Sequence, residues 1–354
     1  MTDHPFTHEA LVKAGIGVIN SHGRRLVAIA LAGMTASTLA GCTGGGGEGT
    51  IQVYSARQYD LEQAFVQFNE ETGIEVEFLF GDDAELRERI SAEGEDTVAD
   101  AYITVDAGNL AEAAAQGILQ PVESTTLDEA VPSTLRDTEG RWYGLAKRVR
   151  TIAYSPDRVD PATLSTYENL AEPEWQGRLC LRTATASYTQ SLVASMIAAD
   201  GEEETEDVVR GWVENARIFG NDVEIIENIA SGNCDVGIIN HYYLARELRD
   251  DPDLPVELFW ADQQTTGVHV NISGAGVTAN ADNADGAQRL LEWLATDGQE
   301  ALVDDNLEYP VNAEVAPDPI LVEFGDFTEQ TIDATAYADL NSDAVELLAL
   351  AGYR

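Results

Sequence analysis

Short apolar runs alternate with stretches of helical spacing along most of this chain, and that alternation narrows the possible folds more than any other feature. Ile51-Gln52-Val53-Tyr54 reads as a first strand. Asp60 to Glu71 repeats apolar residues at Leu61, Ala64, Phe65 and Phe68, a helical spacing that Gly73 ends. Ile74 to Phe80 reads as a strand, Ala84 to Ala92 as a helix, Ala101 to Val105 as a strand, and Leu110 to Ala115 as a helix closed by Gly117. The pattern restarts after Trp142. Strands are expected at Arg150 to Tyr154, Leu179 to Leu181, Val223 to Ile225, Val236 to Ile239 and Gly276 to Thr278. Helices are expected at Gln190 to Ala199, Glu206 to Ala216, Tyr243 to Leu248 and Ala284 to Leu294. Strands that alternate with helices imply a parallel sheet, hence an α/β fold. No repeat of fixed period occurs, so two α/β lobes of similar size are the economical reading.

The chain has 354 residues and is 44% hydrophobic, enough for two ordinary domains with a real core. Its formal charge is −43, from 63 acidic and 20 basic residues, and the only lysines are Lys13 and Lys147. The acids are scattered rather than gathered in a tail, which describes an acidic coat over the whole surface. Such a coat repels itself at low ionic strength and is tolerated where salt screens it, as in a halophile. The same charge excludes nucleic-acid binding, which needs positive potential.

Residues 1–41 read as an export signal. Arg24-Arg25 precede an apolar run from Leu26 to Ala32, and Leu39-Ala40-Gly41-Cys42 follows. The pattern resembles a lipoprotein signal in which Cys42 is lipidated; the twin arginine hints at export in the folded state. Residues 42–49 form a glycine-rich tether. Cys180 and Cys234 remain in an exported chain, where a structural disulfide is expected and two buried thiols are the alternative.

Tyrosines mark the candidate site. Tyr242 and Tyr243 follow the apolar strand ending at Ile239 and the pair Asn240-His241. Tyr59 and Tyr188 occupy similar places, each after a strand and before a helix. In a parallel α/β sheet, ligands bind beyond the carboxyl ends of the strands. A phenol with a pKa of about 10 stays neutral at pH 7 unless a small, highly charged cation drives off its proton. Ferric ion is hard and prefers anionic oxygen, so converging phenols suit it. Tyrosines that merely pack, with their hydroxyls to water, are the bland alternative.

The run Val53-Tyr54-Ser55-Ala56-Arg57-Gln58-Tyr59 resembles the opening of the periplasmic ferric-ion-binding proteins, a branch of the extracellular solute-binding proteins of ABC importers. So do Thr104-Val105-Asp106-Ala107-Gly108-Asn109-Leu110, Gly144-Leu145-Ala146-Lys147-Arg148-Val149-Arg150, Leu181-Arg182-Thr183-Ala184 with Tyr188-Thr189-Gln190-Ser191-Leu192, Asn240-His241-Tyr242-Tyr243, Ser273-Gly274-Ala275 and Glu308-Tyr309-Pro310. The resemblance implies a two-lobed periplasmic-binding-protein-like fold of type II, with a central cleft and crossing hinge strands. Lobe 1 would hold residues 50–149 and 268–312, and lobe 2 residues 150–267 and 313–354. Tyr242 and Tyr243 match the paired iron ligands, and Tyr59 and Tyr188 the further tyrosines of the tyrosine-rich branch. Gln58 stands at a position where another branch has histidine, and Val105 where that branch has glutamate. That leaves an open position for water or a carbonate-like anion.

Around these ligands, Arg57 and Arg148 are read as guanidiniums that offset the charge of phenolates on Fe³⁺, with a surface ion pair as the bland reading of each. Gln58 and His241 are assigned to the surroundings of the ligands, His241 in a supporting or packing role. Asp106, at a strand end, fits a helix cap. The implied function is capture of ferric ion as cargo and delivery to ABC permease subunits, by a monomer held at the outer face of the cell membrane through its lipid alone. No catalysis is expected. The rival within binding proteins is a small organic or oxyanion solute such as a polyamine, thiamine or phosphate. An exported hydrolase lacks a motif here, and a structural or adhesive lipoprotein would not need tyrosines at separate strand-to-helix corners.

Overall fold

A computed structural model describes residues 49–57, 61–330 and 333–354. The export signal, Cys42, Gln58 and Tyr59 lie outside the described residues. The first half runs β1 (Ile51–Ser55), α1 (Leu61–Thr72), β2 (Val76–Phe80), α2 (Asp83–Glu93), β3 (Ala101–Thr104), α3 (Ala107–Ala115), α4 (Thr125–Ala130) and β4 (Tyr143–Tyr154). The second runs β5 (Leu179–Arg182), α5 (Ser187–Asp200), α6 (Glu202–Asn215), β6 (Ala216–Phe219), α7 (Asp222–Ala230), β7 (Val236–Asn240) and α8 (His241–Asp250). It continues through β8 (Glu257–Phe259), β9 (Val270–Val277), α9 (Ala284–Ala295), α10 (Gln299–Val303) and β10 (Tyr309–Pro310). The chain closes with α11 (Pro319–Glu323), α12 (Ala334–Ala338) and α13 (Asn341–Leu350).

The fold is α/β and two-lobed, with strands that cross between the halves. The strands hydrogen-bond in the order β2-β1-β3-β9-β4-β7-β5-β6, and β8 and β10 pair with β4 outside that path. β1 is parallel to β2 and β3, and β5 is parallel to β6 and β7. β4 joins the two groups because it changes neighbours midway. Its residues Tyr143 to Val149 pair with β9, and Arg150 to Tyr154 pair with β7, both antiparallel. The strand is buried along nearly its whole length, so Arg148, Arg150 and Thr151 are carried into the interior with its apolar residues.

Local chemistry sets the elements. Asp82, Asp106, Ser124, Asn221 and Asn283 each place a side-chain oxygen on a backbone N–H at a helix start. The strand expected at Val223 to Ile225 is instead part of α7. Asn221 caps that helix, acids fill its first turn, and Ile225, Ile226 and Ile229 form its buried face at helical spacing. The missing strand is β6, at the sheet edge and half exposed, so it lacks the apolar signature of a central strand. The strand expected at Gly276 to Thr278 is the far end of the longer β9, whose asparagine, serine and glycines mask its pattern.

Gly237 lets α7 sit directly on β7, since a Cβ there would stand 2.5 Å from the Ile225 side chain. Cys180 of β5 and Cys234, ahead of β7, form a disulfide with their Cα atoms 5.9 Å apart. Both cysteines are buried. Among the described residues, no helix is long and apolar enough to cross a membrane.

Candidate tyrosine site

Parallel strands end on the same edge of a sheet, and that is what gathers the tyrosines. β5 and β7 are parallel neighbours, so the helices that follow them begin side by side. Tyr188 is the second residue of α5, and Tyr242 and Tyr243 are the second and third of α8. All lie in first helical turns rather than in loops. Helix N-termini carry partial positive charge, which favours an anionic oxygen. Antiparallel β4 pairs Arg150 with Asn240 at the end of β7, and thereby delivers Arg148 to the same edge.

The contacts follow from that placement. Arg148 donates from Nη1 to the Tyr188 hydroxyl at 3.1 Å. Its guanidinium carbon lies 5.8 Å from the Tyr188 ring centre and 5.5 Å from that of Tyr242. The Tyr242 and Tyr243 rings lie 4.4 Å apart, centre to centre. Asn240 donates from Nδ2 to the Tyr242 hydroxyl at 3.1 Å. Arg246, one turn further along α8, stands 5.1 Å from the Tyr242 ring centre and 5.9 Å from that of Tyr243. The structure therefore brings Tyr188, Tyr242 and Tyr243 together around cationic side chains.

Two buried carboxylates, Glu308 and Asp222, anchor Arg148 and three further arginines near it. Glu308 takes Arg148 Nε on Oε1 at 2.6 Å and Arg57 on Oε2. All of these side chains are about 1% exposed, so the surface ion pair considered for Arg57 and Arg148 is replaced by a buried Arg–Glu–Arg triad. Burial alone would raise the Glu308 pKa; Arg148 and Arg57 outweigh it and hold the carboxyl below its usual range. Asp222, fully buried, accepts from Arg150 at 2.9 Å and from Arg182 at 2.5 Å. Each triad has two guanidiniums and one carboxylate, and so carries one net positive charge toward the tyrosines.

Among the described residues, the other sequence candidates make buried contacts that support the fold. His241 is completely buried; its Nδ1 accepts from the Val149 N–H at 3.1 Å and its Nε2 donates to the Leu307 carbonyl at 3.0 Å. Burial lowers its pKa to about 4. Both ring nitrogens are in use, so His241 is a packing residue that ties α8 to β4. Val105 is buried, and its carbonyl accepts from Arg148 at 3.4 Å. Asp106 caps α3 and accepts from Asn271 Nδ2 at 2.8 Å; burial raises its pKa to about 6. Among the described residues, no three His, Cys, Asp or Glu side chains are grouped to hold a metal ion. Glu308, Arg182, Asp222 and Arg246 were not singled out as site residues from sequence. Glu308 and Arg182 lie within runs that carry the resemblance, whereas Asp222 leaves no local signal, because its partners are 40 and 72 residues away.

A two-lobed α/β chain whose candidate site lies at the carboxyl ends of strands has the architecture of an extracytoplasmic solute-binding protein. The chain belongs to the bacterial extracellular solute-binding protein family, whose model matches residues 48–301. It is 39% identical to "Iron uptake protein A1" of Synechocystis, over 86% of this chain and 87% of that protein. Among solved structures it is similar to the Trichodesmium protein called IdiA or FutA, in complex with iron and citrate ligands, at 40% identity and a TM-score of 0.82. That match covers 86% of this chain and 100% of the Trichodesmium chain. The ferric binding protein from Campylobacter jejuni is similar at 33% identity and a TM-score of 0.81, over 86% and 100% of the two chains.

Proposed function

We propose that this chain captures ferric ion between its lobes and delivers it to an ABC importer. The observation that carries the proposal is the meeting of Tyr188, Tyr242 and Tyr243 at two adjacent helix N-termini, joined by Arg148. Together with Tyr59 they would supply four phenolates, and Fe³⁺ would displace their protons as metals do from other weakly acidic ligands. Four phenolates on Fe³⁺ carry one net negative charge, which the two arginine triads oppose. The similarity to an iron uptake protein of Synechocystis and to the ferric binding protein from Campylobacter jejuni supports the same cargo. A small organic or oxyanion solute is disfavoured, because the cations here are packed on the tyrosines rather than turned out to a carboxylate or phosphate, and they would repel a polyamine.

The lobes we assign are 50–149 with 268–312, and 150–267 with 313–354; the change of partner at Val149/Arg150 in β4 supports that division. Closure about the crossing strands would bury the metal, and the closed form would dock on permease subunits. Cys42 would carry the lipid that holds the chain at the outer face of the membrane, and the acidic surface suits a saline medium. The protein would act as a monomer and catalyse nothing. Titration with ferric citrate under a visible spectrophotometer tests the reading. A phenolate-to-iron absorption band saturating near one equivalent is expected; a colourless protein at excess ferric citrate overturns it.

A further inference from the structure

Arg182, at the end of β5, is held in one place and lies over the ring of one proposed ligand. Its guanidinium carbon lies 5.1 Å from the Tyr188 ring centre. Its side chain is 18% exposed, so its charge is only partly screened by solvent. The anchor is Asp222, which receives Arg182 Nη1 at 2.5 Å and Arg150 Nη1 at 2.9 Å. Asp222 also accepts from the backbone N–H of Asn240 at 3.2 Å. Asn240 in turn donates to the Tyr242 hydroxyl. A single carboxylate thus sets both a cation over Tyr188 and the residue that orients Tyr242.

We propose that Arg182 is a positioning residue of the ferric site, aimed by Asp222 so that its guanidinium fixes the Tyr188 ring and offsets the negative charge that this ligand carries on Fe³⁺. This rests on the ferric reading given above. A planar guanidinium can grip Asp222 and lie over the Tyr188 ring at once, which an ammonium cannot. A cation beside a phenolate lowers the energy of its oxygen electrons. It therefore widens the gap for charge transfer to Fe³⁺ and moves the band to shorter wavelength.

Arg182→Met keeps the stem and removes the charge, while Asp222 retains Arg150 and the Asn240 N–H. The test is ferric citrate titration of wild type, Arg182→Met and Arg182→Lys, with thermal melts of the metal-free proteins. We expect Arg182→Met to bind iron roughly ten- to a hundredfold more weakly, with its band moved to longer wavelength. Arg182→Lys should recover part of both. Iron affinity within about twofold of wild type and an unmoved band in Arg182→Met overturn the proposal. Should Arg182→Met lack a native melt, Arg182→Lys decides by the same readouts, wild-type values in both overturning it. A wild-type protein that never colours defeats the ferric reading itself, a different outcome from a coloured wild type matched by its variants.

Discussion

Arg148 ties the Glu308 carboxylate to the Tyr188 hydroxyl, donating to the first from Nε at 2.6 Å and to the second from Nη1 at 3.1 Å. Glu308, 160 positions along the chain from Arg148, thereby shares its buried guanidinium with a proposed metal ligand. The position of that ligand depends on an ion pair buried behind it.

Removing Glu308 should be costly. Glu308→Ala would leave Arg57 and Arg148 buried without their counter-charge, a loss of roughly 3–5 kcal/mol. Urea unfolding of the metal-free protein should show a much lower midpoint, and an unchanged midpoint would contradict the buried triad. The Glu308 pKa is depressed in the folded state. Its stabilisation is therefore fully present above the ordinary glutamate pKa of about 4.3 and lost as pH falls through the lower folded value.

The tyrosines make the most direct test of the cargo. Tyr242→Phe with Tyr243→Phe should abolish the coloured ferric complex, since both hydroxyls are lost while the rings still pack. Tyr188→Phe alone should weaken binding and shift the band without removing it. Full colour and affinity in the double variant, read by ferric citrate titration, would defeat the ligand assignment.

Histidine protonation should destabilise the metal-free fold in mild acid. His269 is buried, donates from Nδ1 to Gln330 at 2.9 Å and accepts at Nε2 from Ser191 at 3.0 Å. Burial lowers its pKa to about 4, from 6.5. The unfolded chain therefore binds the proton first as pH falls, and stability is lost between pH 6.5 and about 4. The loss is on the order of 1.4 kcal/mol per pH unit for this side chain. His269→Gln should flatten the dependence of unfolding free energy on pH by that amount; an equal slope in both proteins would refute it.

The Cys180–Cys234 bond closes a loop with a sequence separation of 54 residues. Chain-entropy arguments put its contribution at about 4 kcal/mol. Cys180→Ala with Cys234→Ala should lower the denaturation midpoint accordingly. It should also loosen the link between β5, which carries Arg182, and β7, which leads to Tyr242. Unaltered denaturation curves would mean that the loop is already held by other contacts.

What was legible in the sequence is local. Apolar periodicity gave β1, α1, β2, β7 and α9 nearly as they are, because a helix or buried strand prints its burial pattern on consecutive residues. The tyrosines were visible because each follows an apolar strand. Where burial is partial the pattern fades: β6 at the sheet edge went unseen, and the isoleucine-rich start of α7 passed for a strand.

Tertiary structure alone decided the electrostatics. That Arg57 and Arg148 grip one carboxylate, and that Asp222 serves both Arg150 and Arg182, depends on which strands lie side by side after folding. A charged side chain in sequence carries no mark of its partner, because an ion pair is set by distance in space and by the removal of water. Spacing along the chain determines neither.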